Sequence, residues 1–261
     1  MLTAELVKWL TRRIVAPLCK GSTPLFRPIV IKNELFSSFF NIVKTCIIWY
    51  NISIYWGDKM LDNKLGITNE IELSKEEERI TKQKALELFD TGKINEFEVG
   101  TFKGLSNIHE FLFSDIYTFA GEVRDVNIAK GNFRFAPVIY LDDVLKKIDE
   151  MAQDNFDNII KKYVEMNVAH PFREGNGRST RIWLDMILKK ELGKVVDWSK
   201  INKEDYLLAM ERSPVKDTEI KLLIENALTN KINDREVYMK GIDASYQYEG
   251  YNTYTMDELD K

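Results

Sequence analysis

One helix must stop and another must start within a few residues of each other in this chain, and the loop between them constrains everything around it. Ile159, Ile160, Tyr163, Val164 and Val168 recur at helical spacing over Asn155–Ala169, and Pro171 then ends the run. Proline disfavours helical backbone in the residue before it, so His170 is expected to leave the helix and point beyond its end. A second stripe, Ile182, Trp183, Met186 and Ile187, predicts a helix over Gly177–Glu191 that opens directly after Gly175-Asn176-Gly177. The fold must therefore carry the stretch His170–Arg181 at a helix–loop–helix junction.

The residue types in that stretch suit phosphate chemistry. Gly175, Asn176 and Gly177 tolerate positive φ, so successive backbone N–H groups can turn inward as an anion nest. The helix N-terminus adds its dipole and free donors at the same place. Arg178 and Arg181, three apart, share one side of the helix, and guanidinium forks match phosphate oxygens. Glu174 offers the hard oxygen that Mg²⁺ takes when it also holds substrate phosphates. His170 is the natural general base, and Phe172 is expected to face the core and pin the loop.

Charge narrows the partners. The chain of 261 residues has net charge −4, but the first 59 residues carry +5 (eight Lys/Arg against Glu5, Glu34 and Asp58), leaving −9 for the rest. An acidic body argues against direct nucleic-acid binding. Both cysteines, Cys19 and Cys46, lie in the first segment, so no disulfide framework supports the body.

The first segment differs in character from the acidic body. Its apolar, aromatic stretch from Leu35 to Trp56 is split by Lys44, which costs about 2.5–3.5 kcal/mol at the centre of a membrane helix. A membrane span is not expected. Gly57-Asp58-Lys59-Met60 back-translates as a purine-rich ribosome-binding sequence before a start codon, and Gly21-Ser22-Thr23-Pro24 as a transfer-RNA gene arm. The expectation is that residues 1–59 are a non-native or disordered extension, with Met60 the natural start.

Helical patterns fill the region before the junction. Ser74 and Glu77 have capping-box spacing ahead of a helix over Glu76–Phe89, ended by Asp90-Thr91-Gly92. A second helix runs from about Val99 to Phe113 and carries His109, read as a core or surface histidine. A third covers Leu141–Gln153. Between them, alternation at Val126 and Ile128 and the breaker at Lys130-Gly131-Asn132 predict a short hairpin ending at Phe133-Arg134-Phe135-Ala136-Pro137. Two isolated strands are marginal in water, so the hairpin must lie on the helical core or receive a partner strand.

The stretch His170–Arg181 resembles the core motif of the Fic family (filamentation induced by cAMP), His-x-Phe-x-[Asp/Glu]-Gly-Asn-Gly-Arg-x-x-Arg, at every specified position. Eight such positions coincide by chance with a probability on the order of 10⁻⁸ in a chain this long. The resemblance extends over roughly residues 75–250. It implies an all-α fold: a Fic-type helical core with a small β-hairpin flap over the active site. It implies transfer of AMP from ATP to a Ser, Thr or Tyr hydroxyl of a protein. His170 would deprotonate that hydroxyl, Glu174 would hold Mg²⁺, and Asn176 with the Gly175–Gly177 backbone would bind phosphates. Arg178 would take the β-phosphate and Arg181 the γ-phosphate. The flap, with Arg124, Asn127, Ile128, Lys130, Gly131, Phe133, Arg134 and Phe135, would dock an extended target segment by strand addition.

The tail completes the resemblance. Helices are expected at Lys203–Glu211, Thr218–Leu228 and, capped by Asp234, Arg235–Tyr248. Ser245 to Gly250 looks like the inhibitory Ser-x-x-x-Glu-Gly motif that one Fic class carries in a final helix. Residues 60–232 would then form the Fic domain and 233–261 the C-terminal inhibitory helix and tail, in which Glu249 would pair with Arg181. Tyr246, beside Ser245, is the candidate for self-modification. A Doc-like kinase of related fold is the alternative enzyme, disfavoured by the intact Gly-Asn-Gly-Arg section, and a non-catalytic binding module is the alternative outside enzymes. Cytoplasmic action is expected, and a homo-oligomer could reinforce the inhibitory tail.

Overall fold

The computed structural model describes residues 60–131 and 133–260; the cysteines, the Leu35–Trp56 stretch and the proposed start boundary at Lys59 lie outside the described residues. Helix α1 (Glu70–Asp90) is capped by Asn69, whose side chain accepts from the Glu72 N–H, so it begins earlier than the Ser74–Glu77 pattern predicts. The apparent capping box lies inside the helix. Leu73 is buried, and Glu77, expected to decorate a helix N-terminus, is buried as well. The end falls as expected, with Gly92 in the left-handed region after Asp90.

Helix α2 (Phe102–Phe113) starts at its Thr101 cap rather than at Val99. Gly104 is required where it stands, since a Cβ there would strike the Glu98 carbonyl oxygen at 1.7 Å. The hairpin comes next, shorter than predicted. Strand β1 (Ala129–Lys130) pairs antiparallel with β2 (Phe133–Arg134), matching Ala129 with Arg134 and Lys130 with Phe133. Val126 and Ile128, expected in the strand, both precede it, and the chain from Arg124 to Val126 is held instead by the Arg124 side chain.

Helix α3 (Leu141–Glu150) is shorter than its pattern, as Met151 turns to extended backbone. Helix α4 (Phe156–Ala169) is capped by Asn155 and ends at His170. Helix α5 (Asn176–Leu192) comes after the loop and is buried nearly all round: Ile182, Trp183, Leu184, Met186, Ile187 and Leu188 lie beside buried Arg178, Ser179, Thr180 and Arg181. A helix covered on all sides is the core of its domain. Helices α2 and α4 flank it.

The remainder closes the other face. Strand β3 (Val195–Val196) pairs with β4 (Leu228–Thr229) in a second two-stranded sheet that hydrophobic patterning did not show. Helices α6 (Lys203–Arg212) and α7 (Thr218–Ala227) lie between them in sequence, and α8 (Arg235–Glu249) returns to pack on α5 and α1. Asp234 caps α8 through the Val237 N–H, as expected. The short α9 (Met256–Leu259) packs on α1. The tail between α8 and α9 is tied to α1: Glu78 accepts from the Thr253 and Tyr254 N–H groups, and Lys82 donates to the Tyr254 carbonyl as well as to Asp243 of α8 at 2.8 Å. No helix among the described residues is long and apolar enough to cross a membrane.

Candidate active site

The junction loop is built by one strained residue and one side-chain clasp. His170 caps α4 with φ 48° and ψ 64°, the only positive φ outside glycine among the described residues. Non-glycine residues pay about 1–2 kcal/mol for that region, so neighbours must hold it. Arg124 does so. Its guanidinium donates to the carbonyls of His170 (2.7 Å), Val126 (2.7 Å), Ala136 (2.6 Å) and Ala169 (3.1 Å), and its own N–H to Pro171 O (2.8 Å). Burial pushes the Arg124 pKa down. This corrects its expected part in target docking: Arg124 is buried beneath the hairpin, stapling both its ends to the close of α4.

Asn176 is the clasp. Its Oδ1 accepts from the Phe172 N–H at 2.8 Å and its Nδ2 donates to Phe172 O at 2.7 Å. What Asn176 presents to an anion is therefore its backbone at the first turn of α5, with its side chain closing the loop. Only Gly175 of the three nest residues has positive φ (76°), and a Cβ there would meet the Phe113 ring at 2.3 Å. Phe172 is fully buried, as expected.

The imidazole of His170 is poised as an acceptor. Its Nδ1 lies 3.2 Å from Asn167 O, so Nδ1 carries the proton and Nε2 is left free to accept one. Burial pushes its pKa down to about 3, against the Asn167 carbonyl, which favours the charged form. Phe135 from the hairpin stacks on the ring at 3.6 Å. Phe135 in turn meets Phe133 edge-on at 5.1 Å, while Asn127, Lys130, Gly131 and Arg134 are exposed and Ile128 is half-buried.

The two arginines divide the remaining space. Arg178 is buried and pairs with Glu77 (2.7 Å) and Glu174 (2.9 Å), under the rings of Phe113, Tyr246 and Tyr251. Glu77 also accepts from Tyr251 at 2.7 Å and from the Tyr117 hydroxyl. Glu77 was missed as a site residue: on α1 it has no proximity in sequence to the motif, and only its place within an apolar stripe signalled burial.

Arg181 is engaged at every nitrogen. Nε donates to Ser245 Oγ (2.7 Å), Nη1 to the Tyr206 hydroxyl (3.4 Å), and Nη2 to Ser245 O (2.8 Å) and Glu249 Oε1 (3.0 Å). The second Glu249 oxygen takes Lys130 of the hairpin at 2.9 Å. Burial alone would raise the Glu249 pKa, but Arg181 and Lys130 outweigh it and hold the carboxyl down at about 2. The carboxylate lies over Gly177, where a Cβ would come within 2.2 Å of its Oε1. An anionic group thus already sits on the first turn of α5, where the helix dipole favours it.

Tyr246 is corrected. At 1% exposure it is packed between Arg178 and Lys82, each a cation over its ring, so its hydroxyl is out of reach of any transfer chemistry in this arrangement.

Glu174 fits a divalent cation. Its side chain is 40% exposed at the mouth of the loop, with Oε1 taking the Gly175 N–H and Arg178. Burial raises its pKa, with Arg178 opposing. No group of three or more His, Cys, Asp or Glu among the described residues could hold an ion alone, so a cation here would draw most of its ligands from a substrate, as Mg²⁺ does from phosphates.

The family model described as Fic/DOC matches residues 101–188, from the cap of α2 to within α5. The chain is 28% identical over 215 residues to the protein adenylyltransferase VbhT of Bartonella schoenbuchensis, covering 73% of this chain and 44% of that protein, so it spans under half of that relative's length. It is 29% identical over 171 residues to a probable protein adenylyltransferase of Sinorhizobium fredii, covering 61% of this chain and 85% of that one. The crystal structure of the effector BepC of Bartonella tribocorum with bound AMPPNP superposes with a TM-score of 0.54 at 22% identity, over 67% of this chain and 95% of that chain. Helix α1 with Glu77 and helix α8 with Ser245 and Glu249 lie outside residues 101–188, yet Glu77 reaches Arg178, and Ser245 and Glu249 reach Arg181. The helical fold, its hairpin flap and the complete motif identify residues 101–188 as a Fic/DOC-family domain.

Proposed function

We propose that the chain is a protein adenylyltransferase held in an inhibited form by its own C-terminal helix. The observation that carries the reading is the engagement of Arg181 by Ser245 and Glu249 beside a base whose Nε2 is free. ATP would lie with its phosphates on the first turn of α5. The target hydroxyl oxygen attacks the α-phosphorus, its proton passes to His170 Nε2, and the bond from the α-phosphorus to the bridging oxygen breaks as pyrophosphate leaves. Positioning and charge neutralisation supply most of the catalysis in such transfers.

Glu174 would hold Mg²⁺, whose chemistry is to neutralise charge on the α- and β-phosphates. Arg178 would serve the β-phosphate and Arg181 the γ-phosphate. With Glu249 in place, the γ-phosphate meets a carboxylate where it needs a cation, so the α-phosphorus cannot align with His170. The flap offers a two-stranded sheet with free outer edges to an extended target segment. The names of the bacterial relatives support AMP transfer, and the need for ATP with a cysteine-free body supports action in the cytoplasm.

The test uses the full chain with Glu249→Gly, incubated in bacterial lysate with α-labelled and, separately, γ-labelled ATP. Protein-bound label from the α position alone, absent in a His170→Ala, Glu249→Gly double variant, is expected. Label from the γ position alone would make it a kinase instead, and no label in either case would refute both.

A further inference from the structure

His109 lies at the centre of the site without touching any reacting group. Its Nδ1 accepts from the Gly121 N–H at 2.8 Å, and a ring nitrogen that accepts carries no proton. The proton is therefore on Nε2, which donates to the Glu174 carbonyl at 2.8 Å. The ring is fully buried and stacked between Phe172 at 3.8 Å and Phe113 at 4.6 Å, so it cannot swing to other partners. Gly121 is fixed in turn, with φ +81° and its carbonyl accepting from Ser106 Oγ at 2.8 Å.

The Glu174–Gly175 peptide converts that anchor into aim. In a trans peptide the C=O and N–H point to opposite sides of one plane. The Glu174 C=O is held by His109, so the Gly175 N–H faces away, and there it donates to Glu174's own Oε1 at 2.9 Å. Rotating the peptide would break both bonds together. The direction of the carboxylate is set by the plane of the peptide, and the plane is set by His109.

We propose that His109 is a positioning residue for the divalent cation: it aims the Glu174 carboxylate by locking the Glu174–Gly175 peptide. This rests on the reading of Glu174 as the cation's protein ligand. Outer partners that orient a ligand typically change metal affinity about 10–100-fold when removed.

Two substitutions separate this role from mere packing. His109→Asn keeps an acceptor near the Nδ1 position for Gly121 but has no donor that reaches Glu174. His109→Gln places an amide N–H near the Nε2 position. Both are made in the full chain carrying Glu249→Gly, and binding of a non-hydrolysable ATP analogue is titrated with Mg²⁺. The Mg²⁺ concentration that half-tightens binding is expected to rise about 10–100-fold for His109→Asn. Binding without Mg²⁺ should be unchanged, and His109→Gln should recover most of the loss. An unchanged Mg²⁺ requirement in His109→Asn, or equal losses in the two variants, overturns the proposal. Failure of Mg²⁺ to tighten binding even with His109 intact would instead sink the reading of Glu174.

A measurement without a histidine substitution covers the case in which the variants do not fold. In the ¹⁵N-labelled Glu249→Gly form, His109 should show the Nε2-protonated tautomer, and its Nε2 resonance should move when Mg²⁺ is added to the analogue-bound protein. The opposite tautomer, or a resonance indifferent to Mg²⁺, also overturns it.

Discussion

Arg181 and Glu249, on helices separated by most of the C-terminal third of the chain, meet at 3.0 Å with Arg181 only 2% exposed. A buried pair of this kind is costly to break from one side, because the partner is left charged and unpaired. On the proposed function, ATP would compete with Glu249, its terminal phosphate taking over the arginine.

Glu249→Gly should raise AMP transfer about 5–150-fold, the range of a 1–3 kcal/mol coupling between sites. It should also lower the melting temperature, because Arg181 loses its counter-charge. Saturating ATP should restore more of that temperature than it adds to the parent chain. Thermal melts with and without nucleotide, alongside a labelled-ATP assay, check both. A faster enzyme that is equally stable would contradict the competition.

His170→Ala, made in the Glu249→Gly background, should slow transfer by about 10²–10⁴. Its melting temperature should hardly move, since the ring donates one 3.2 Å hydrogen bond and stacks on a half-buried Phe135. Retained activity would remove His170 as the base.

Arg124→Lys should be destabilising by more than about 3 kcal/mol despite keeping the charge. An ammonium cannot reach four carbonyls fixed at different angles, and each charged hydrogen bond is worth about 1.5–3 kcal/mol. Activity should fall with it, since His170 loses the donor on its carbonyl. A urea melt showing less than about 1 kcal/mol change would refute the stapling role.

Stability should fall on acidification from pH 6.5 to 5. His109 and His170 have ordinary values of 6.5 and are held down at about 3, so in this window the unfolded chain binds two protons the folded chain refuses. Asp185 opposes them. Burial raises its carboxyl from 3.8 to about 7, against hydrogen bonds from Val196 N and Trp198 Nε1, so the folded chain binds one proton there. The net difference grows to about one proton by pH 5, where it corresponds to roughly 1.4 kcal/mol per pH unit. Asp185→Asn should steepen the slope, and urea midpoints across the window measure it. A flat profile in both forms would show that these groups titrate normally.

Much of this protein is legible from local pattern. The stop at Pro171, the Asn155–Ala169 run and the stripe from Ile182 to Ile187 fall where the helices are, because apolar period and proline geometry act within a few residues. The start of α1 was misplaced because Asn69 caps it locally while Leu73 extends its buried face, and two competing N-terminal signals stand close together. The β3–β4 pair was invisible, since two-residue strands more than thirty residues apart carry no period.

The sequence by itself determined which groups share one junction: a histidine, a carboxylate, a glycine turn and two arginines, since their spacing is enforced by backbone geometry alone. Only the tertiary structure decided what each residue faces. Arg124 became a staple and Tyr246 a buried wall, Lys130 of the flap paired with Glu249, and Glu77 and His109 joined the site from elements distant in sequence. Burial and long-range pairing depend on which helices pack together, and no local spacing encodes that.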